Sequence, residues 1–133
     1  MTFLSKHISV TISRDPKDVY AFASNPEHLP RWAAGLSSSD LLLVNGEWIS
    51  NSPMGRIKIK FVPVNAFGVM DHWVTLPDGA EVLNPMRVLP NGLGSEVIFS
   101  MFQLEGITDE MFQRDAELVE KDLLTLKRCL ESK

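Results

Sequence analysis

The sequence predicts one α+β domain: a curved antiparallel sheet of about seven strands wrapped around a long C-terminal helix, with two short helices after the first strand. Three observations predict it. The opening residues alternate polar and apolar before a capped helix start. From Asp40 to Gln103 short apolar segments are separated at regular intervals by turn residues. From Thr108 to Leu130 the apolar period changes from two to that of a helix. At 133 residues the chain is long enough to bury one core without disulfides or a structural metal, so residues 1–133 read as a single domain.

In the first element Ile8, Val10 and Ile12 alternate with His7, Ser9 and Thr11, which gives a strand with one buried face. A helix follows at once: Asp15 is a suitable N-cap, Pro16 fits the first helical position, and Val19, Phe22 and Ala23 recur at helical spacing. Asn25-Pro26 repeats the start signal, and Pro30 limits this second helix to a turn or two. The turns of the middle region are Asn45-Gly46, Ser52-Pro53-Met54-Gly55, Asn65 to Gly68, Pro77-Asp78-Gly79 and Pro90-Asn91-Gly92. Consecutive hairpins, hence a meander, satisfy that punctuation. In the last element Phe112, Ala116, Val119, Leu123, Leu126 and Leu130 form one stripe on a helix of about six turns. Thr108 or Asp109 caps it, and the sheet must cover its stripe.

Composition excludes several classes of function. Hydrophobic residues at 44% and charged residues at 23% are those of a folded globular chain. A net charge of −4 without a basic cluster predicts no nucleic-acid partner, because phosphate binding needs a concentrated cationic surface. No apolar run approaches the roughly 20 residues that span a bilayer, so no stable membrane insertion is expected. Met1 to Ile12 contains Lys6 and His7 and lacks the apolar core of a signal peptide, and Cys129 has no second cysteine to pair with. Both point to the cytoplasm. No G-x-G-x-x-G, P-loop, H-E-x-x-H or C-x-x-C spacing occurs, so no nucleotide cofactor and no metal are expected.

The segments HISVTISRDPKDVYAFASNPEHLPRW, NAFGVMDHWVTLPDG and NPMRVLPNGLGSEVIFSMF, in that order before a terminal helix, carry a resemblance that extends over nearly the whole chain. They are similar to the START/Bet v 1-like (SRPBCC) superfamily, in particular its bacterial polyketide cyclase/dehydrase-like group. The resemblance implies the helix-grip fold and an internal pocket between sheet and helix. It carries over no catalytic residue, because this superfamily places hydrolases, cyclases, lipid carriers and co-chaperones on one scaffold.

Strand parity predicts the pocket wall without the family. Arg56, Lys58 and Lys60 face water, so Ile57, Ile59 and Phe61 face the helix. A four-residue turn at Ser52 to Gly55 then places Trp48 and Ser50 inside. An even link around Asn65-Ala66 brings Met70, His72 and Val74 inside, and an even loop at Pro77-Asp78-Gly79 brings Leu83, Pro85 and Arg87 inside. Val97, Phe99 and Met101 follow. Asp71 and His72, as strand neighbours, project to opposite faces and form no dyad; Asp71 is expected to meet Lys58 or Lys60. Trp32, Trp48, Met101, Met111 and Phe112 complete an apolar lining, with Asp115 at the edge of the helix stripe. Ile49, Val69, Trp73, Val82 and Met86 fall on the outer face, an apolar surface suited to a homodimer.

These residues predict a binder of a small hydrophobic or aromatic molecule, with His72 and Arg87 holding its polar group. One alternative is an enzyme of the cyclase, dehydratase or hydrolase type, with His72 as general acid or base and Arg87 stabilising an oxyanion. Another is a protein-interaction module acting through the outer sheet face. A core histidine satisfied by backbone and water is the competing structural account of His72.

Overall fold

The computed structural model describes residues 1–34, 41–52 and 55–132. Asp40, placed by the sequence reading at the start of the meander, and the turn residues Pro53 and Met54 lie outside them. The chain runs β1 (Ser5–Ile12), α1 (Pro16–Ala23), a 3-10 turn (Pro26–His28), α2 (Leu29–Trp32), β2 (Leu41–Val44), β3 (Glu47–Ser52), β4 (Gly55–Phe61), β5 (His72–Thr75), β6 (Glu81–Asn84), β7 (Met86–Asn91), β8 (Gly94–Phe102) and α3 (Asp109–Glu131). The class is α+β, as expected, with eight described strands in place of about seven.

The strands form two antiparallel sheets, ordered β1-β8-β7 and β2-β3-β4-β5-β6. The division has a covalent cause. Pro85 lacks an N–H and interrupts the run that the sequence reads as one strand, so β6 ends in one sheet and β7 begins in the other. The sheets meet at a seam where Val69 bridges Arg87, Met70 donates its N–H to the Met86 carbonyl, and Val88 donates to that of Gly68. Gly68 takes φ +71°, and a Cβ there would collide with the Val88 carbonyl oxygen. Only glycine suits that approach.

The caps are those the sequence announces. Asp15 accepts from the Lys17 amide at 2.8 Å, and Thr108 accepts from the Met111 amide at 3.1 Å. Phe112, Ala116, Leu123, Leu126 and Leu130 of α3 are buried. Leu123, Leu126 and Leu130 join Val10, Ile12, Val19, Leu29, Ile57, Ile59 and Val97 in one core, and burying a side chain of this size stabilises the fold by about 1.5–3 kcal/mol. At the C-terminal end of α3, Arg14 donates to the Leu130 carbonyl and Lys127 to that of Thr11, both at 2.6 Å. Cations there complement the negative end of the helix.

The register matches the prediction as far as β5 and reverses in β6 and β7, while in β8 Val97, Phe99 and Met101 face inward as expected. Trp48 pairs with Ile59, Asn51 with Arg56 and Phe61 with His72. The link from Phe61 to His72 is longer than expected but even, Val62 to Asp71, so His72 and Val74 keep the inner face. The next hairpin joins Thr75 to Glu81 through Leu76 to Ala80, an odd number of residues. Val82 and Asn84 therefore turn inward and Arg87 outward, the opposite of the expectation, while Leu83, 45% exposed, is left at the rim of the space beneath the sheet. Met86, expected outside, is fully buried. With Val82 and Met86 removed from it, the outer face is less apolar than the sequence reading made it.

Candidate functional site

Between the five-stranded sheet, β8, α2 and the first half of α3 lies a cavity of about 490 Å³. This is within the range of sites that enclose small organic molecules. Of the residues the sequence nominates, Trp32, Ile57, Ile59, His72, Val74, Leu83, Phe99, Met101, Phe112 and Asp115 line it. The other five do not. Trp48 packs against the core from the inner face. Phe61 lies behind His72, and Met70 is fully buried in the core. Met111 is 42% exposed, one position off the buried stripe of α3. Arg87 is on the outer surface.

His72 is a polar group of the wall and is 6% exposed. Its ring stacks on Phe61 at 4.6 Å between centroids and meets Phe99 edge-on at 6.4 Å. Nδ1 lies 3.0 Å from the Met70 carbonyl oxygen. A carbonyl only accepts, so Nδ1 carries the proton and donates. Burial holds the pKa of the imidazole below its ordinary value, against the opposing pull of the Met70 carbonyl and the Asp71 charge. The ring is therefore neutral at pH 7, and its lone pair is on Nε2. Among the described residues the fully enclosed polar side-chain atoms without a partner are Trp32 Nε1 and Ser50 Oγ. His72 lines the cavity, and among the described residues its Nε2 has no hydrogen-bond partner, so the lone pair is left for a molecule within it.

Asp71, just before β5, makes no hydrogen bond to His72 and acts on it only through its charge. Its Oδ1 accepts from the Met86 amide at 2.9 Å and from Arg87 Nε at 3.2 Å, and its Oδ2 from Arg87 Nη2 at 3.1 Å. The expected lysine partners are elsewhere: Lys58 pairs with Glu47 at 3.4 Å. Burial disfavours the Asp71 carboxylate, but the Arg87 and Met86 hydrogen bonds and the Arg87 charge outweigh it, so its pKa lies below the usual carboxylate value. The guanidinium that the sequence assigned to the ligand instead closes the seam between the sheets.

The wall contains polar groups that the sequence reading missed. Asn84 enters through the reversed parity of β6. The signal was present: a Pro-Asp-Gly turn with a left-handed glycine, here Gly79 at φ +90°, is the odd-length hairpin that shifts register by one. Asp122 lines the cavity one helical step beyond Val119, and Asp115 lies two turns before it on the same face of α3. Asp122 accepts from the Ala34 amide at 3.1 Å. Burial raises its pKa, opposed by that amide and by Lys121. Among the described residues no group of three or more His, Cys, Asp or Glu could hold a metal ion, and no helix is long and apolar enough to cross a membrane.

No family model and no curated protein sequence matches the chain. Solved structures do. The protein XoxI from Bacillus cereus is 17% identical, with 99% of this chain and 97% of that one superposed at a TM-score of 0.70. Ara h 8.0201, a Bet v 1 homologue, is 13% identical over 98% of this chain and 99% of that one, at 0.66. DynU16, a protein in the dynemicin biosynthetic locus, is 13% identical over 96% of this chain and 47% of that one, at 0.68. The chain thus has the Bet v 1-like fold that its sequence resembles.

Proposed function

We propose that the chain binds a small, mostly apolar molecule containing one or more rings in the cavity between the sheet and α3. The observation that carries this reading is the hollow itself: about 490 Å³ walled by Ile57, Ile59, Val74, Phe99, Phe112 and Leu123. An unfilled apolar space forfeits packing contacts, and a ligand that fills it adds its own binding free energy to the stability of the fold. Ara h 8.0201 and DynU16 share the scaffold, which supports a ligand-binding or cyclase-like role over one played on an outer surface.

One observation favours a second reading, catalysis by His72. A neutral buried imidazole with its lone pair open to a cavity is a general base in waiting. Against it, Nδ1–H is held by a carbonyl and not a carboxylate, so nothing in contact with the ring stabilises the imidazolium that proton abstraction would create. Binding without chemistry is therefore the function proposed. Titration with a neutral apolar fluorophore such as Nile red, alongside native mass spectrometry of the purified chain, tests it. Saturable one-to-one binding that is lost when Val119→Trp fills the hollow is expected. Failure to bind, or binding indifferent to that substitution, would refute the proposal. Turnover of any substrate that falls about 100-fold in His72→Ala would move the conclusion to the enzyme.

A further inference from the structure

The polar groups of the cavity define what sort of molecule it accepts, given the binding reading above. We propose that it selects an uncharged molecule bearing a hydroxyl group, of the phenol or alcohol type, and rejects carboxylates of the same apolar shape.

Two independent observations support this. The first concerns hydrogen bonding. His72 Nδ1 is committed as a donor to the Met70 carbonyl, so Nε2 offers the cavity an acceptor and no proton. A ligand O–H satisfies that acceptor. An ether or a carbonyl brings another acceptor to it and leaves Nε2 unpaired, and a buried polar group left unpaired weakens a complex about tenfold or more.

The second is the sign of the charges. Asp115 and Asp122 line the cavity from one face of α3, and among the described residues no lysine or arginine does. The undescribed segments at positions 35–40 and 53–54 read GLSSSD and PM and contain no cation, and the remaining undescribed residue, Lys133, follows α3 at the far end from the lining residues Phe112 to Leu123. The arginine expected inside, Arg87, is engaged with Asp71 on the outer surface. A carboxylate entering such a wall would give up its hydration, find no cation, and approach two groups of its own sign. A neutral hydroxyl avoids all three costs.

Three probes that share one ring system test this: hydroxypyrene, methoxypyrene and pyrenecarboxylate, titrated at pH 7 by fluorescence against the native chain, His72→Phe and the double variant Asp115→Asn/Asp122→Asn. Hydroxypyrene should bind the native chain about tenfold more tightly than methoxypyrene, and that preference should vanish in His72→Phe. Pyrenecarboxylate should bind at least about tenfold more weakly than hydroxypyrene. The double asparagine variant should narrow that gap by about threefold or more, through a larger gain for pyrenecarboxylate than for hydroxypyrene. Equal affinity of the native chain for hydroxypyrene and either of the other probes overturns the inference but leaves the cavity reading intact. Failure of all three to bind overturns that reading, and the selectivity with it. The comparison on the native chain decides the matter even where His72→Phe does not fold.

Discussion

Replacing Asp71 with alanine should cost about 1–3 kcal/mol, and most of that loss should come from one backbone hydrogen bond, with little from the ion pair. The carboxyl accepts from the Met86 amide at 2.9 Å and from two nitrogens of Arg87 at 3.1 and 3.2 Å. The two contacts differ in surroundings. Arg87 is half exposed, with its side chain at 50% against 16% for Asp71, so the pair is screened and contributes about 0–1 kcal/mol. The Met86 amide is part-buried at the seam between the sheets, and without its acceptor it would incur the desolvation cost of an unmade bond, about 1–2 kcal/mol. Arg87→Ala removes only the first contribution and should cost about 0.5 kcal/mol. Urea denaturation of both single variants and of the double variant would give the three values and the coupling between the sites. If Arg87→Ala proved as costly as Asp71→Ala, the seam would be held by the ion pair and the apportionment above would be wrong.

The chain should lose stability on acidification from about pH 6.5, because the pKa of His72 is lowered by burial in the folded state. Between the ordinary value and the lower folded one, the unfolded chain binds a proton that the native chain does not. The loss is therefore absent above about pH 6.5 and grows below it. His72→Phe should flatten this part of a pH series of thermal midpoints; an unchanged slope would assign it to other groups. Ser50→Ala should be neutral or stabilising by up to about 1 kcal/mol, since Ser50 is 1% exposed and its buried hydroxyl has no partner, and a clear loss in urea denaturation would show that the hydroxyl is hydrogen-bonded after all. Gly68→Ala should cost about 2 kcal/mol or more through its positive φ and the Val88 carbonyl beside it, and a smaller loss would mean that the seam yields.

Local signals account for what the sequence made legible. The caps at Asp15 and Thr108, the α3 stripe and the inner face from Ile57 to Val74 follow from spacing and turn chemistry, which act within a few residues of their cause. His72 could be placed inside because the parity of a strand is exact while its links are even. Its partner could not be placed, because parity propagates from hairpin to hairpin and a single odd loop at Leu76 to Ala80 inverts β6 and β7, although Val97, Phe99 and Met101 of β8 are inside as expected. That one inversion carried Arg87 out of the wall and brought Val82 and Asn84 into it.

Other features depended on contacts between distant parts of the chain. The seam at Val69 and Arg87, the Asp122 carboxylate against the Ala34 amide, and the seating of Phe61 behind His72 each join residues from different elements. The sequence by itself determined the elements, their order and the buried histidine, because propensity, capping and periodicity are properties of neighbouring residues. Only the tertiary structure decided the sign of charge in the cavity and which nitrogen of His72 faces it. Both depend on how two sheets close around one helix, and that closure is set by packing over the whole chain.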